Sequence, residues 1–178
     1  MYTLYMATIL SESLRNYISE GQKDLVDEGL HLLEHAESDH ESHLQDYSFV
    51  VFPFAKAYEG FLKQVFLGAG YITRRDYYSQ HFRIGKVLSP NLVHRLGRES
   101  VYKKICDESG CDISERMWQT WKKGRNEVFH YFPHNLHSLN LKDARVLIED
   151  IIATMELVVE KVKTKHIQET LLRYDTMS

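Results

Sequence analysis

The sequence predicts an all-α fold, and three observations favour it. Apolar residues recur at the three- and four-residue spacing of amphipathic helices, whereas no segment alternates as a half-buried strand does. Only three prolines and nine glycines interrupt the 178 residues, which is few for a β-sandwich or a disordered chain. The 43% hydrophobic content is enough to bury one core. We therefore expect a single helical domain over residues 1–178, a bundle of four to five main helices.

The N-terminal part is predicted to form helices over residues 3–19, 22–36 and 42–69, the first two being separate helices or one helix broken at Gly21. Pro53 is expected to kink the third helix or to mark a restart within it. That helix is the most apolar of the three, so we expect it to be buried over much of its circumference. Its predicted core face consists of Tyr47, Val50, Val51, Phe54, Tyr58, Phe61, Leu62 and Val65.

Residues 71–111 are the least regular part of the chain, and we call them the basic insertion. They are expected to lie between the second and third long helices of the bundle. Tyrosines and a phenylalanine alternate there with arginines and a lysine without a clean helical period. Ser89-Pro90 resembles the start of a helix, which would run over residues 90–108.

Two further helices are predicted in the C-terminal part. The first starts at Asp112 or Ser114 and runs to about Phe132, where Pro133 stops it. The second covers residues 140–172 and should bury Ala144, Ile148, Ile151, Met155, Val158 and Val162.

The charge of −3 is unevenly distributed along the chain. Residues 1–70 carry a net −7, residues 71–125 a net +6, and residues 126–178 a net −2. A basic middle segment in an acidic protein is compatible with a phosphate-bearing substrate that meets one face. A chance fluctuation, or a match between the acidic and basic parts of a dimer, would give the same pattern.

The remaining composition favours a cytoplasmic protein that has no membrane partner. No apolar run approaches the roughly 18 residues of a membrane span, and no basic start precedes the apolar N-terminal residues. Cys106 and Cys111 are too few for a disulfide framework or a zinc site, so we expect reduced thiols.

One histidine-rich stretch has the residue types of a metal site. His31 and His35 are four residues apart, which places both on one helix face, and Asp39, His40 and His43 follow. No closed ligand set follows from this spacing, and the glutamates among them are typical of a solvated helix end. We therefore expect neither a metal nor another cofactor.

The hexapeptide Arg125-Asn126-Glu127-Val128-Phe129-His130 carries the strongest chemical signal. Metal-independent RNA cleavage needs a group that exchanges a proton near neutral pH, and imidazole is suited to that. It also needs a permanent cation on the phosphoryl oxygens, which a guanidinium provides. Asn126 and His130 are at i, i+4 and should lie on one helix face. Arg125 lies about 140° from His130 around the helix axis.

Arg-Asn-x-x-x-His at a helix end of an all-α chain resembles the HEPN (higher eukaryotes and prokaryotes nucleotide-binding) superfamily. The helix order is also similar over most of the chain, most of all to toxins such as the catalytic domain of RNase LS-type toxins. The resemblance implies an endoribonuclease that forms a 2′,3′-cyclic phosphate and acts as a toxin or antiviral effector. It implies that Arg125, Asn126 and His130 are catalytic, together with Glu59 on the earlier long helix.

The resemblance also implies partners. HEPN nucleases pair so that two motifs line one composite groove, which predicts a homodimer. Members that are inactivated by AMP transfer carry His-x-Tyr, but this chain has His130-Tyr131-Phe132. We therefore expect control by an antitoxin that blocks the cleft, or by a protein partner of another kind.

RNA contacts beyond the motif are expected from cations near it in sequence. Lys122 and Lys123 precede the motif by less than a turn, and Arg74 and Arg75 lie among the aromatic residues of the basic insertion. His134 and His137 follow the motif within reach of RNA, although a polar loop is the favoured interpretation of both.

Three alternatives stay open at this stage. Arg125 could pair with an acid within the bundle, and His130 could cap the helix end near its dipole. Glu59 could form a structural ion pair, an interpretation as good as the catalytic one. The whole chain could be a non-catalytic HEPN module that binds RNA, a nucleotide or a protein in a defence complex.

Overall fold

The computed structural model describes residues 10–39, 44–130, 133 and 138–162, and these form helices, turns and bends without a strand. This confirms the all-α prediction. No helix in this part of the chain is long and apolar enough to cross a membrane. The helices are α1 Glu12–Tyr17, α2 Glu20–Ser38, α3 Ser48–Gly68, α4 Arg74–Tyr78, α5 Ile84–Val87, α6 Val93–Leu96, α7 Val101–Ser109, α8 Cys111–Trp121 and α9 Leu141–Lys161.

Helix α3 is the centre of the bundle, packed against α2 and α9. Its predicted core face is buried, apart from the partly exposed Tyr47 that precedes the helix. The Tyr58 hydroxyl donates a hydrogen bond to the Met117 carbonyl oxygen at 3.1 Å, which ties α3 to α8. Burial raises the pKa of Tyr58 well above its usual value, so this hydroxyl keeps its proton and acts as a donor.

A polar network joins α8, which precedes the motif, to α9. Arg116 Nη2 donates to Asp150 Oδ1 at 2.6 Å, and its Nε donates to Thr154 Oγ1 at 2.9 Å. The Thr120 hydroxyl donates to Asp150 Oδ2 at 3.0 Å. Because Thr120 and Thr154 are buried, these bonds satisfy groups that would otherwise be costly to bury. The α9 face predicted from its spacing is buried throughout.

Several predicted helix boundaries are wrong. Helix α3 begins at Ser48 rather than near residue 42, and at this point the Asp46 carboxylate accepts the Ser48 N–H at 2.9 Å, whereas the N-cap Tyr47 makes no side-chain cap bond. It continues through Pro53 without a restart. The helix predicted over residues 90–108 is broken, because Gly97 adopts a φ of +52° that an α-helix does not allow. Two 3₁₀ turns, Pro90–Leu92 and Gly97–Glu99, flank α6 instead.

The predictions at both termini lie partly outside the described residues. Helix α1 starts at Glu12 after the cap Ser11, whereas residues 3–9 of the predicted helix 3–19 are not described. For the predicted helix 140–172, α9 accounts for Leu141–Lys161 and residues 163–178 are not described.

The expectation of reduced thiols is wrong for Cys106 and Cys111, which form a disulfide. Helix α7 ends at Ser109 and α8 begins at Cys111, so the tight turn between them folds the two helices back on each other. This brings the two cysteine Cα atoms to 4.0 Å despite five residues of sequence separation.

Candidate functional site

The predicted motif does not lie on a regular α-helix. After Trp121, α8 widens into a π-helical turn, Lys122–Glu127, and residues 128–130 leave the helix. Gly124 is buried in this turn, where an added Cβ would stand 3.0 Å from Ile151 Cδ1 on α9. The prediction that one regular helix continues to about Phe132 is therefore wrong, because residues 128–130 are not helical. Phe132 itself lies outside the described residues. Single π-helical turns within helices are frequent at functional sites.

Arg125 turns toward α3 and contacts Glu59. Its Nε donates to Glu59 Oε2 at 3.2 Å, and the two side chains are 44% and 36% exposed. An ion pair this open to water stabilises a protein by about 1 kcal/mol at most. Among the described contacts this is the only hydrogen bond of Arg125, so its terminal nitrogens remain available.

His130 is directed to a different neighbour. Its Nε2 lies 3.1 Å from Asn126 Oδ1, which fits the predicted i, i+4 placement of these two side chains. The His130 side chain is exposed, so water can reach the imidazole. If Asn126 Oδ1 accepts the proton on Nε2, the other ring nitrogen is free to act as a base.

A groove runs along α3 beside the motif and encloses about 560 Å³. Residues of α3 and of the motif line it, together with Ser19 and the first turn of α2. The rings of Phe52 and Phe129 meet edge-to-face at its end, 5.5 Å apart. We call this cavity the α3 groove; its functional side chains are Phe52, Lys56, Glu59, Lys63, Arg125 and Phe129.

The contribution of α3 to this groove beyond Glu59 is not predicted by the motif. A signal was available: Phe52, Lys56, Glu59 and Lys63 follow the four- and three-residue spacing of a single helix face. Three of the four are charged, in a helix whose remaining positions are mostly apolar and buried. Charged residues confined to one stripe of a buried helix mark the face that meets solvent or a ligand.

The cations predicted to bind RNA are separated by the fold. Lys122 forms an ion pair with Glu127 at 3.2 Å, and Lys123 is exposed on the same turn. Arg74 and Arg75 begin α4, which follows the C-terminal end of α3. That end is nine residues beyond Glu59, or about 14 Å along the helix axis. Arg74 and Arg75 therefore line a separate, shallower cavity with Tyr78 to His81.

The candidate metal ligands do not assemble within the described part of the chain. No group of three or more histidine, cysteine, aspartate or glutamate side chains there stands close enough to hold an ion. His31, His35 and Asp39 are among the residues tested, whereas His40 and His43 lie outside them. His134, His137 and Tyr131 also lie outside.

Comparison with known proteins adds no relative. The chain matches none of the protein-family models, none of the curated proteins and none of the solved structures with which it was compared. Its function is therefore inferred from the residues and contacts described above.

Proposed function

We propose that this protein is a metal-independent endoribonuclease of the HEPN type, acting as a toxin or antiviral effector. The observation that carries the proposal is the π-helical turn that holds Arg125 over the α3 groove and His130 beside Asn126. A permanent cation within the π-helical turn and an accessible imidazole just after it thus lie five residues apart.

Arg125 would stabilise the charge that develops on the phosphoryl oxygens. Glu59 engages Nε and so restrains the guanidinium, and both Nη nitrogens could then donate to a phosphate without loss of that contact. Glu59 is a positioning residue in this scheme. Because the ion pair is exposed and weak, a phosphate can also replace Glu59 at little cost in free energy.

His130 would exchange the proton of the attacking 2′-hydroxyl or of the leaving 5′-oxygen, so that the products are a 2′,3′-cyclic phosphate and a 5′-hydroxyl. Asn126 orients the ring through its 3.1 Å contact. His130 is not part of the groove lining that contains Arg125. We therefore propose a homodimer in which the histidine of one subunit serves the phosphate held by the arginine of the other.

The test is cleavage of labelled RNA in excess EDTA by wild type, His130→Ala and Arg125→Ala, with end-group analysis of the products. We expect each variant to cut at least about a hundredfold more slowly than wild type. His94→Ala removes an exposed imidazole in the basic insertion and should cut like wild type. Equal rates for wild type and His130→Ala would reject the catalytic assignment.

A second candidate is a non-catalytic module that binds RNA or a nucleotide in a defence complex. The pairing of Arg125 with Glu59, and the position of His130 outside the groove lining, favour it. RNA binding without product formation, unchanged in His130→Ala, would support this alternative over the nuclease.

A further inference from the structure

Two phenylalanines at the end of the α3 groove are exposed to an unusual degree. Phe52 is 53% exposed and Phe129 is 38% exposed, although each brings a large apolar ring. The two rings contact each other at right angles, with an interplanar angle of 84°. Contiguous exposed apolar surface on a folded protein commonly marks a binding site.

The same stripe of α3 that carries Phe52 also carries Lys56 and Lys63, one and three helical turns further on. Neither lysine makes an ion pair or hydrogen bond among the described residues. The single carboxylate of the groove, Glu59, is already engaged by Arg125. The groove therefore presents excess positive charge directly beside aromatic rings.

We propose that the α3 groove binds an unpaired nucleotide of single-stranded RNA. The base packs against Phe52 and Phe129, its flanking phosphates contact Lys56 and Arg125, and a phosphate further along the strand contacts Lys63. This inference rests on the proposed function, because it places the substrate strand at the arginine that would act on it.

Chemistry favours a single strand over a duplex. Proteins that hold single strands combine a cationic groove with aromatic rings on which bases stack. In an A-form duplex the bases stack on each other, and their faces cannot reach a side chain. A phenylalanine platform beside cations is thus useful only to a strand whose bases are free, and it accepts any base because every base has a π face.

Charge favours RNA over a protein as the occupant of the groove. A second protein seated on Phe52 and Phe129 by apolar contact would have to neutralise Lys56 and Lys63 with carboxylates of its own. A nucleic acid strand carries one phosphate per nucleotide, and its phosphates neutralise both lysines whatever the base sequence.

The experiment measures RNA binding in EDTA with the His130→Ala background, so that cleavage cannot interfere. The probes are a fluorescent oligouridine and an RNA duplex of the same length, titrated by anisotropy. Phe52→Ala and Phe52→Leu should both weaken oligouridine binding about fivefold or more, because both remove the ring. Phe52→Tyr should stay within about twofold. Val146→Ala, which trims a 54% exposed apolar side chain on α9, is the matched control and should bind normally.

Three results would overturn the inference. The first is full affinity in Phe52→Leu, which would mean that apolar area and not the ring matters. The second is duplex binding as tight as oligouridine binding, with the same loss in Phe52→Ala. The third is a change of oligomeric state in Phe52→Ala by light scattering, which would identify the phenylalanines as a protein interface.

The outcome is separable from that of the proposed function. If wild type cleaves RNA and substitution of Phe52 does not change the affinity for oligouridine, this inference is rejected and the proposed nuclease function is retained. Binding that depends on the Phe52 ring, without any cleavage by wild type, would support the inference and reject the nuclease.

Discussion

The α3 groove and the basic insertion both present cations, but the fold supports these cations in different ways. In the groove, Lys56 and Lys63 extend from a 21-residue helix whose opposite face is buried in the core. In the insertion, the cations stand on short helices and 3₁₀ turns, and most of their side chains are exposed. A rigid helix holds cations at fixed spacing, whereas an exposed loop supplies charge without fixed geometry. Charge density alone favours the insertion, whereas fixed geometry favours the groove.

Apolar anchors hold the insertion to the rest of the molecule, and local bonds join its own parts. Ile84 and Leu88 are buried in the core, and within the insertion Lys104 donates a hydrogen bond to the Tyr71 carbonyl oxygen at 2.7 Å. Gly85 lies against the ring of Trp121, the last residue of α8 before the π-helical turn. The insertion thus contacts the residue from which the motif turn begins.

The largest expected effect tests that contact. A Cβ at Gly85 would stand 2.3 Å from Trp121 Cη2, so the helix or the indole must shift in Gly85→Ala. Overpacking of this kind costs about 1–3 kcal/mol of the free energy of unfolding. Chemical denaturation followed by circular dichroism measures the loss.

Gly21→Ala is the matched control, because nothing lies within 4 Å of a Cβ at that position. Since alanine is the better helix former, this variant should be at least as stable as wild type. If Gly85→Ala were also neutral, the insertion would be free to move away from Trp121. The insertion would then be held less tightly than the groove.

The second effect compares the two sets of cations directly. Lys56→Ala with Lys63→Ala should weaken oligouridine binding about tenfold, and it should lower the slope of log affinity against log salt by about 1.4, because two phosphate contacts are lost. Arg74→Ala with Arg75→Ala removes the same charge at the other end of α3. Anisotropy titrations at several salt concentrations measure both slopes.

We expect the arginine pair to change the affinity for a short oligomer less than the lysine pair does. An equal or larger loss for the arginine pair would mean that the strand crosses the insertion. The sequence-based assignment of Arg74 and Arg75 to RNA binding would then be right, and the emphasis on the groove wrong.

The regular helices could be predicted from the sequence because burial repeats at helical spacing. Every residue of the face predicted for α9 is buried, and α3 was correctly expected to be buried over most of its surface. The boundaries depend on single hydrogen bonds and could not be predicted in the same way. The start of α3 at Ser48 is accompanied by one bond to the Asp46 side chain, which no periodicity reveals.

The candidate site was predicted less completely than the fold. The contacts of Arg125 with Glu59 and of His130 with Asn126 both follow from residues singled out in the sequence. The π-helical turn does not, and the close approach of its Gly124 to Ile151 joins residues that are far apart in the chain. Phe129 pairs with Phe52 only through that geometry, so the aromatic end of the groove became apparent only in three dimensions.

The smallest expected effect concerns the local bonds of the insertion. Thr73 caps α4: its hydroxyl accepts the Asp76 N–H at 3.2 Å and donates to Asp76 Oδ2 at 2.6 Å. The hydrogen bond from the Thr73 hydroxyl, together with one that the Thr73 N–H donates to the same Oδ2 at 2.9 Å, lowers the pKa of Asp76. Thr73→Ala should cost about 1 kcal/mol of the free energy of unfolding at pH 7.

The pH dependence of that cost follows from the direction of the Asp76 shift. A carboxyl whose pKa is lowered in the folded protein stabilises it above the unfolded pKa of about 4, and that stability is lost as the pH falls through the folded pKa. The difference between wild type and Thr73→Ala should therefore shrink from pH 7 to pH 3 in chemical denaturation. It should not vanish, because the Thr73 hydroxyl still accepts the Asp76 N–H when the carboxyl is protonated. In an Asp76→Asn background the effect of Thr73→Ala should be independent of pH over this range. If the stability difference between wild type and Thr73→Ala stayed constant from pH 7 to pH 3, the charge of the Asp76 carboxylate would contribute nothing to it.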